Sequence, residues 1–484
     1  MNSLLLTDGY KVDHRRQYPE QTTLVYSNWT PRKSRISGVN KVVLFGLQYF
    51  IKKYIIEDFN CNFFSKPKEE VVKEYSRRIN NYLGPNAVGT AHIEALHDLG
   101  YIPMVIKALP EGTSVPIRVP MFTMYNTIPE FFWLTNYFET LVSTTIWMPC
   151  TSATIAKQYR LILDQYAKET SSQQEFVDWQ GHDFSMRGMA GLEAAQMSAA
   201  GHLLSFTGTD TIPAIDFLEQ YYNANSDAEL IGGSVAATEH SVMCMGTNLG
   251  EQETFKRLIT EVYPGGVVSI VSDTWDLWKV LTEYLPNLKE EVLNRDGKVV
   301  IRPDSGDPAD IICGNPNGKT EVEQKGVVTL LWETFGGTTN DKGFKELDAH
   351  IGAIYGDSIT VERATDICER LKKKGFASTN VVLGIGSYTY QYNTRDTFGF
   401  AMKATYGEVD GVGREIYKDP ITDDGTKKSA KGLIKIEQQE GDYVLIDQVS
   451  WEEEKTGALQ EVFKDGKLVK EFSLKEIRDR IKTS

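Results

Sequence analysis

The 484-residue sequence predicts an α/β protein: an irregular parallel β/α barrel with an α/β domain built from the N- and C-terminal segments. Three observations lead there. Between residues 151 and 395 an apolar strand-like run, a polar or glycine-containing tip and a helix-compatible stretch recur in about seven units, the layout of a parallel barrel whose tips share one rim. The clearest runs, VVSIVSD (267–273), KVVIRPD (298–304), IGAIYGD (351–357) and NVVLGIG (380–386), are near-continuous rather than alternating. Strands buried on both faces read that way. Both ends of the chain carry instead short strands and hairpins with Gly- and Asp-containing turns.

Residues 1–150 supply the N-terminal part of the α/β domain and its helices. Polar and aromatic residues (TDGYKVDHRRQYP, YSNWTPRKSR) precede an apolar helical stretch from Val42 to Ile56, and KPKEEVVKEYSRRI predicts a solvated helix face. Short strands are expected from Ile102, broken at Pro110-Glu111-Gly112, and long helices rich in Trp, Phe and Leu from Glu130 to Ala167. In the barrel segment, 151–395, the helix after Asp357 carries an apolar stripe of Val361, Ala364, Cys368 and Leu371. An insertion at 312–346 holds the turn GNPNGK and a helix over 320–335. Residues 396–484 complete the α/β domain with hairpins in AMKATYGEV, GLIKIEQQEGDYVLIDQV and EVFKDGKLVKEF, then a helix after Ser473.

Composition narrows the class. With 41% apolar and 24% charged residues the chain is globular, and it holds no run of about 18 apolar residues. MNSLLLTDGYK lacks the basic start and long apolar core of a signal peptide. Five dispersed cysteines (Cys61, Cys150, Cys244, Cys313, Cys368) make neither a disulfide framework nor a zinc motif, so a reducing, cytoplasmic setting is expected. A net charge of −14 disfavours nucleic acid and anionic membranes. Anionic substrates then need a locally positive pocket.

The tips offer one. They are His182-Asp183-Phe184, Gly208-Thr209-Asp210, Glu239-His240, Ser272-Asp273, Arg302-Pro303-Asp304-Ser305-Gly306, Gly356-Asp357 and Gly384–Ser387. Taken singly, Asp, Ser and Thr at such places cap the next helix. In series, with His and Arg among them, they describe one active site. Arg302 and Asp304, at i and i+2, point to one side of an extended chain. The guanidinium suits pyrophosphate; the carboxylate suits ribose hydroxyls or developing positive charge. Arg187 is a second cation near the same mouth. Gly356-Asp357 and Gly384–Ser387 expose backbone N–H groups where barrels commonly hold phosphate. Asp273 is placed to orient the imidazole of His240, which is a competent nucleophile toward phosphorus. Lys403, Lys418, Lys427, Lys428 and Lys431 form a basic series that either solvates a face or steers polyphosphates. No P-loop and no G-x-G-x-x-G after a strand occurs.

The ordered set LLLTDGYKVDH, YSNWTPRK, LFGLQYF, PEFFWLTNYFET, HDFSMRG, FTGTDT, AATEHS, SIVSDTWD, IRPDSGDP, YGDS, GIGSY and IYKDP resembles the nicotinamide phosphoribosyltransferase family, from end to end. The resemblance implies a type II phosphoribosyltransferase fold and a homodimer with shared active sites. It implies transfer of phosphoribosyl from 5-phosphoribosyl 1-pyrophosphate to nicotinamide, with Mg²⁺ held mainly by substrate phosphates. ATP, a co-substrate, is then hydrolysed through a phosphohistidine at His240. By motif, Phe184 and the partner subunit's Tyr10 would sandwich the ring, and Asp210 would accept the carboxamide N–H. Arg302 and Arg187 would hold the pyrophosphate and amide side, Asp304 and Asp357 the ribose. Gly356, Gly386 and Ser387 would cradle the 5′-phosphate, with Arg395, Lys403 and Lys418 nearby and Ser269 among the substrate-binding residues. Arg32, Lys418 and Lys427 would line the polyphosphate path. GIGSY and Met186 depart from the usual family pattern. Three other functions are compatible with parts of the layout: a nicotinate phosphoribosyltransferase, a non-catalytic regulator that retains the pocket, and a sugar-phosphate aldolase or isomerase. Asp210, the intact Arg302–Asp304–His240 set and the absence of a tip lysine argue against them in turn.

Overall fold

A computed structural model describes residues 1–356, 358–418 and 430–483. The chain forms two compact units. One comprises Met1–Thr154, Phe217–Asn225 and Asn393–Ser484, the other Ile155–Asp216 and Ser226–Tyr392.

The second unit is the barrel. Its strands are β1 (Gly181–Asp183), β2 (Gly208–Thr209), β3 (Ala236–Ala237), β4 (Val268–Val271), β5 (Val299–Arg302), β6 (Ile351–Tyr355) and β7 (Val381–Ile385). All pairings are parallel, and neighbours follow chain order from β3 through β7, which returns to pair with β1 and then β2. The edges of this curled sheet meet at an isolated parallel bridge between Gly208 and Gly233. There Thr209 N–H donates to Gly233 O (3.0 Å) and Gly233 N–H to Thr207 O (2.8 Å). Residues 233–237 thus close the ring between β2 and β4.

The apolar runs behave as their composition dictates. Every residue of β4 and β6 is buried, and each Val or Ile side chain so enclosed contributes about 1.5–3 kcal/mol. The helix Val361–Lys373 turns Ala364, Ile367, Cys368 and Leu371 inward, and the Thr360 hydroxyl caps it by accepting from Arg363 N–H. The helix expected over 320–335 is two, Glu321–Lys325 and Val327–Phe335. Gly326 separates them at φ +77°, a left-handed conformation that ends one helix and admits the next.

In the first unit, Thr22–Thr30 pairs antiparallel with Ala401–Val409 on one side and Phe122–Asn126 on the other. The sheet continues through Met104–Ala108 to Gln460–Lys464, so strands from both chain ends share it. Trp29 stacks between Phe122 and Phe400 at centroid distances of 6.0 and 5.5 Å. The buried carboxyl group of Glu111 accepts from Gly46 N–H (3.1 Å) and the Tyr222 hydroxyl (3.0 Å). Among the described residues no helix is long and apolar enough to cross a membrane.

Candidate active site

At the end of β1, Asp183 is fully buried and gathers four donors. Ser185 N–H and its hydroxyl reach Oδ1 (3.0 and 2.6 Å), and the Thr209 and Thr211 hydroxyls reach Oδ2 (2.8 and 2.7 Å). A buried carboxylate persists only when bonded in this way. It fastens the tip of β1 to the tip of β2. On either side of it, His182 Nε2 lies 2.8 Å from Asp210 Oδ1, and the Ser234 hydroxyl donates to the same oxygen at 2.7 Å. Burial works to raise the Asp210 carboxyl. The bonds from His182 and Ser234, with the charge of Arg302, outweigh it and hold the group below its ordinary value. Both bonds fall on Oδ1, which leaves Oδ2 as an acceptor. Phe184 lies against His182 at a centroid distance of 4.5 Å, and Gly384 makes room for its ring: a Cβ there would stand 2.7 Å from Phe184 Cδ2.

The tips of β3, β4 and β5 meet around His240. Its Nε2 is 3.3 Å from Asp304 Oδ1, and its Nδ1 is 3.2 Å from the Thr274 hydroxyl. The sequence reading expects Asp273 to orient this imidazole, and the two side chains are within ion-pair distance. Asp273 Oδ1 stands 3.9 Å from Nε2, beyond hydrogen-bonding reach. Its Oδ2 is committed to Asp304 N–H (3.0 Å), Ser305 N–H (2.9 Å) and the Ser305 hydroxyl. Asp273 therefore shapes the 304–305 turn, and Asp304 holds the imidazole.

Ligand atoms of His240, Asp273 and Asp304 all lie within 4.8 Å of one another, and Asp273 Oδ1 is buried without a hydrogen-bond partner. Two carboxylates with one orphaned oxygen suit a hard divalent cation such as Mg²⁺; the imidazole is not its usual ligand. Arg302, at the end of β5, is half-buried, with Nε unpartnered. Burial pulls its pKa down, against the carboxylates of Asp304, Asp210 and Asp273, while Arg187 adds to the lowering. One guanidinium thus faces both the Asp210 and the Asp304 groups.

On the late strands, a Cβ at Gly356 would come within 3.4 Å of Asp304 Cβ and 3.6 Å of Arg302 Cδ, so glycine keeps that rim clear. A Cβ at Gly386 would meet nothing within 4 Å. Ser387 lies against Gly188, where a Cβ would stand 2.0 Å from the serine Oγ. Arg187, next to Gly188, is exposed. Ser269 on β4 is buried, and its Oγ has no partner. Asp357 and Lys427 (with Lys428) lie outside the described residues.

The remaining candidates belong to the first unit. Tyr10 is 61% exposed, with Lys11 Nζ 5.1 Å over its ring and His14 edge-on at 5.1 Å. Lys403 stands opposite Asn28 in the strand register. Burial lowers its pKa; Glu139 opposes this, and the charges of Arg32, Lys418 and Lys11 deepen it. Those four cations form a positive field on an acidic protein. Arg32 Nε–H donates to Gly399 O (2.9 Å), and Arg395 reaches Asp396 at 3.4 Å.

Asp183, Thr209, Thr211, Ser234 and Thr274 had no role assigned from sequence. The HDF and GTDT tips were the available signal for the first three: Thr209 lies opposite Asp183 in the strand register, and Thr211 two residues further on.

The fold matches nicotinate-nucleotide pyrophosphorylase from Pyrococcus furiosus (TM-score 0.60, 14% identity, 99% of this chain and 95% of that one). It also matches human nicotinic acid phosphoribosyltransferase (TM-score 0.55, 14% identity, 99% and 93%). The barrel is that of the type II phosphoribosyltransferases. Residues 179–467 match the nicotinate phosphoribosyltransferase (NAPRTase) family, and residues 2–89 the nicotinamide phosphoribosyltransferase N-terminal domain. The nicotinamide phosphoribosyltransferase of Acinetobacter baylyi is 54% identical over 493 residues, covering 99% of this chain and 97% of that protein. Its counterpart from Mycoplasma pneumoniae is 38% identical over 454 residues, covering 89% and 95%. The chain belongs to the nicotinamide phosphoribosyltransferase family, a family of pentosyltransferases.

Proposed function

We propose that the protein joins nicotinamide to 5-phosphoribosyl 1-pyrophosphate, giving nicotinamide mononucleotide and pyrophosphate in cytoplasmic NAD salvage. The observation that carries this reading is the Asp210 carboxylate, held ionised through Oδ1 with Oδ2 left to accept. A carboxamide N–H donates to it. Nicotinate brings only acceptors and a negative charge, which Asp210 repels.

The pyridine nitrogen attacks C1′ as the C1′–O bond to pyrophosphate breaks, and pyrophosphate leaves with the bonding pair. The ring becomes a pyridinium, which the faces of Phe184 and the partner subunit's Tyr10 favour by about 0.5–2 kcal/mol. Arg302 and Arg187 take the charge gathering on pyrophosphate. Asp304 and Asp357 hold the ribose, and Gly356, Gly386, Ser387 and Arg395 the 5′-phosphate. Asp273 and Asp304, with the substrate's own phosphates, would hold Mg²⁺, which when bound neutralises phosphate oxygens.

His240 is the acceptor of the ATP γ-phosphoryl group. A ring nitrogen forms the N–P bond as the bridging P–O bond breaks and ADP leaves with the pair. Bonded to Asp304 through Nε2 and to the Thr274 hydroxyl through Nδ1, the imidazole is held in one orientation. Arg32, Lys403, Lys418 and Lys427 line the approach of the polyphosphate. A phosphoryl group beside Arg302 and Asp304 then couples ATP turnover to substrate affinity. The test is to incubate the protein with Mg²⁺, labelled phosphoribosyl pyrophosphate and either nicotinamide or nicotinate. Labelled nicotinamide mononucleotide is expected; label passing only to nicotinate mononucleotide would refute the reading.

A further inference from the structure

We infer that His182 is a positioning residue that determines which base the site accepts, by occupying Oδ1 of Asp210 and reserving Oδ2 for the ring substituent. This rests on the reading of Asp210 given above. Because Asp210 is ionised, the 2.8 Å contact has Nε2–H as donor, and the Ser234 hydroxyl adds a second bond to the same oxygen. Two donors on one oxygen fix the carboxylate plane. A free carboxylate would rotate and offer either oxygen.

The strand register shows how the imidazole comes to be there. His182 is paired with Gly208 on β2 and with Gly384 on β7, so glycine flanks it on both sides. A Cβ at Gly208 would stand 2.6 Å from His182 Nδ1, and a Cβ at Gly384 would strike Phe184. Both glycines clear space for rings of the β1 tip. The imidazole in turn backs Phe184 at 4.5 Å, tilted by 40°. One residue thereby sets the acceptor for the substituent and supports the wall for the ring. The charged and titratable groups around the pair are Arg302 from β5, Asp183 beside it on β1, and His202 from the helix Leu192–His202. Burial brings His202 down to about 4, so it stays neutral.

The experiment compares wild type, His182→Phe and His182→Gln. Glutamine keeps an N–H donor at the Nε2 position; phenylalanine keeps the flat ring and removes the donor. Measured are kcat and KM for nicotinamide and for nicotinate, KM for phosphoribosyl pyrophosphate, and the acid limb of kcat/KM for nicotinamide. His182→Phe should raise the nicotinamide KM on the order of 10- to 100-fold, the scale of a lost bond to a charged group. It should narrow the preference over nicotinate, move the acid limb to higher pH and leave the KM for phosphoribosyl pyrophosphate unchanged. His182→Gln should restore most of the preference. Ser234→Ala, which removes the other donor to Oδ1, should shift the acid limb in the same direction and serves if His182→Phe does not fold. Product from wild type with an unchanged base ratio in folded His182→Phe and in Ser234→Ala would overturn the inference alone. No nicotinamide mononucleotide from wild type would overturn the functional reading as well.

Discussion

Nε2 of His240 is 3.3 Å from Oδ1 of Asp304, a residue that follows the next strand but one around the barrel. The bond makes the imidazole and the Asp304 carboxylate one unit. On the proposed phosphohistidine route, a phosphoryl group on the ring would act on Asp304 through that bond.

Incubation with γ-labelled ATP should leave acid-labile, base-stable label on wild type and none on His240→Ala. The variant should retain slow mononucleotide synthesis without ATP, because the β1 and β2 tips that hold the base are untouched. Equal labelling of both proteins would remove His240 from the phosphoryl path.

Asp210→Asn replaces a charged acceptor with a group that also donates. Unpaired buried polar groups cost about 1–3 kcal/mol, and sites built around a donor reject its absence by roughly 10⁴-fold. Wild type should therefore prefer nicotinamide strongly, and the variant should lose most of that preference, chiefly by gaining nicotinate use. Comparing kcat/KM for the two bases above the carboxyl pKa of nicotinate checks this. A ratio that does not move would mean Asp210 faces away from the ring substituent.

Tyr10 is an exposed aromatic with Lys11 over its ring, and the proposed shared site draws it from a second copy of the chain. Tyr10→Ala and Asp304→Ala proteins should each be nearly inactive. Mixed under conditions where subunits demonstrably exchange, they should regain part of the activity through hybrid dimers carrying one intact site. Exchange without recovery would exclude a shared site.

Glu111 gives the fold a pH dependence. Burial pushes its carboxyl up to about 7, against the hydrogen bonds from Gln48 N–H, Gly46 N–H and the Tyr222 hydroxyl. The folded state then keeps a proton that the unfolded chain releases near its ordinary value of 4.5. The associated stability is fully present below that value and is lost as pH rises to about 7. The loss is about 3 kcal/mol, from roughly 1.4 kcal/mol per unit. Glu111→Gln should flatten this slope, seen as urea midpoints that differ less between pH 5 and pH 8 than those of wild type. Parallel slopes in the two proteins would show that the carboxyl stays ionised.

The fold was legible where burial leaves a mark on composition. β4 to β7 are Val/Ile runs because helices cover one face and the barrel interior the other. β1, β2 and β3 are two or three residues long, too short for any period, and only their tips HDF, GTDT and EHS disclosed them. The site was legible as a set of residues and less so as a set of bonds. His182 and Asp210 are 28 residues apart and meet because their strands are adjacent, which no local spacing encodes. Asp273 follows the strand next after the His240 tip, and the structure sets it beside the imidazole. The 304–305 backbone bonds its Oδ2, and Oδ1, the oxygen nearest the imidazole, stands 3.9 Å from it without a hydrogen-bond partner.

The ring of strands is fastened at Gly208 and Gly233, and a barrel closed there has a clasp. Its two halves lead to the two groups bonded across it: Asp210 follows β2, Ser234 follows Gly233, and hydroxyl and carboxylate join at 2.7 Å. A base seated on Asp210 therefore rests on the fastening itself. Filling the pocket would latch the wall that forms it, and amide exchange at Thr209 and Gly233 would slow as the pocket fills.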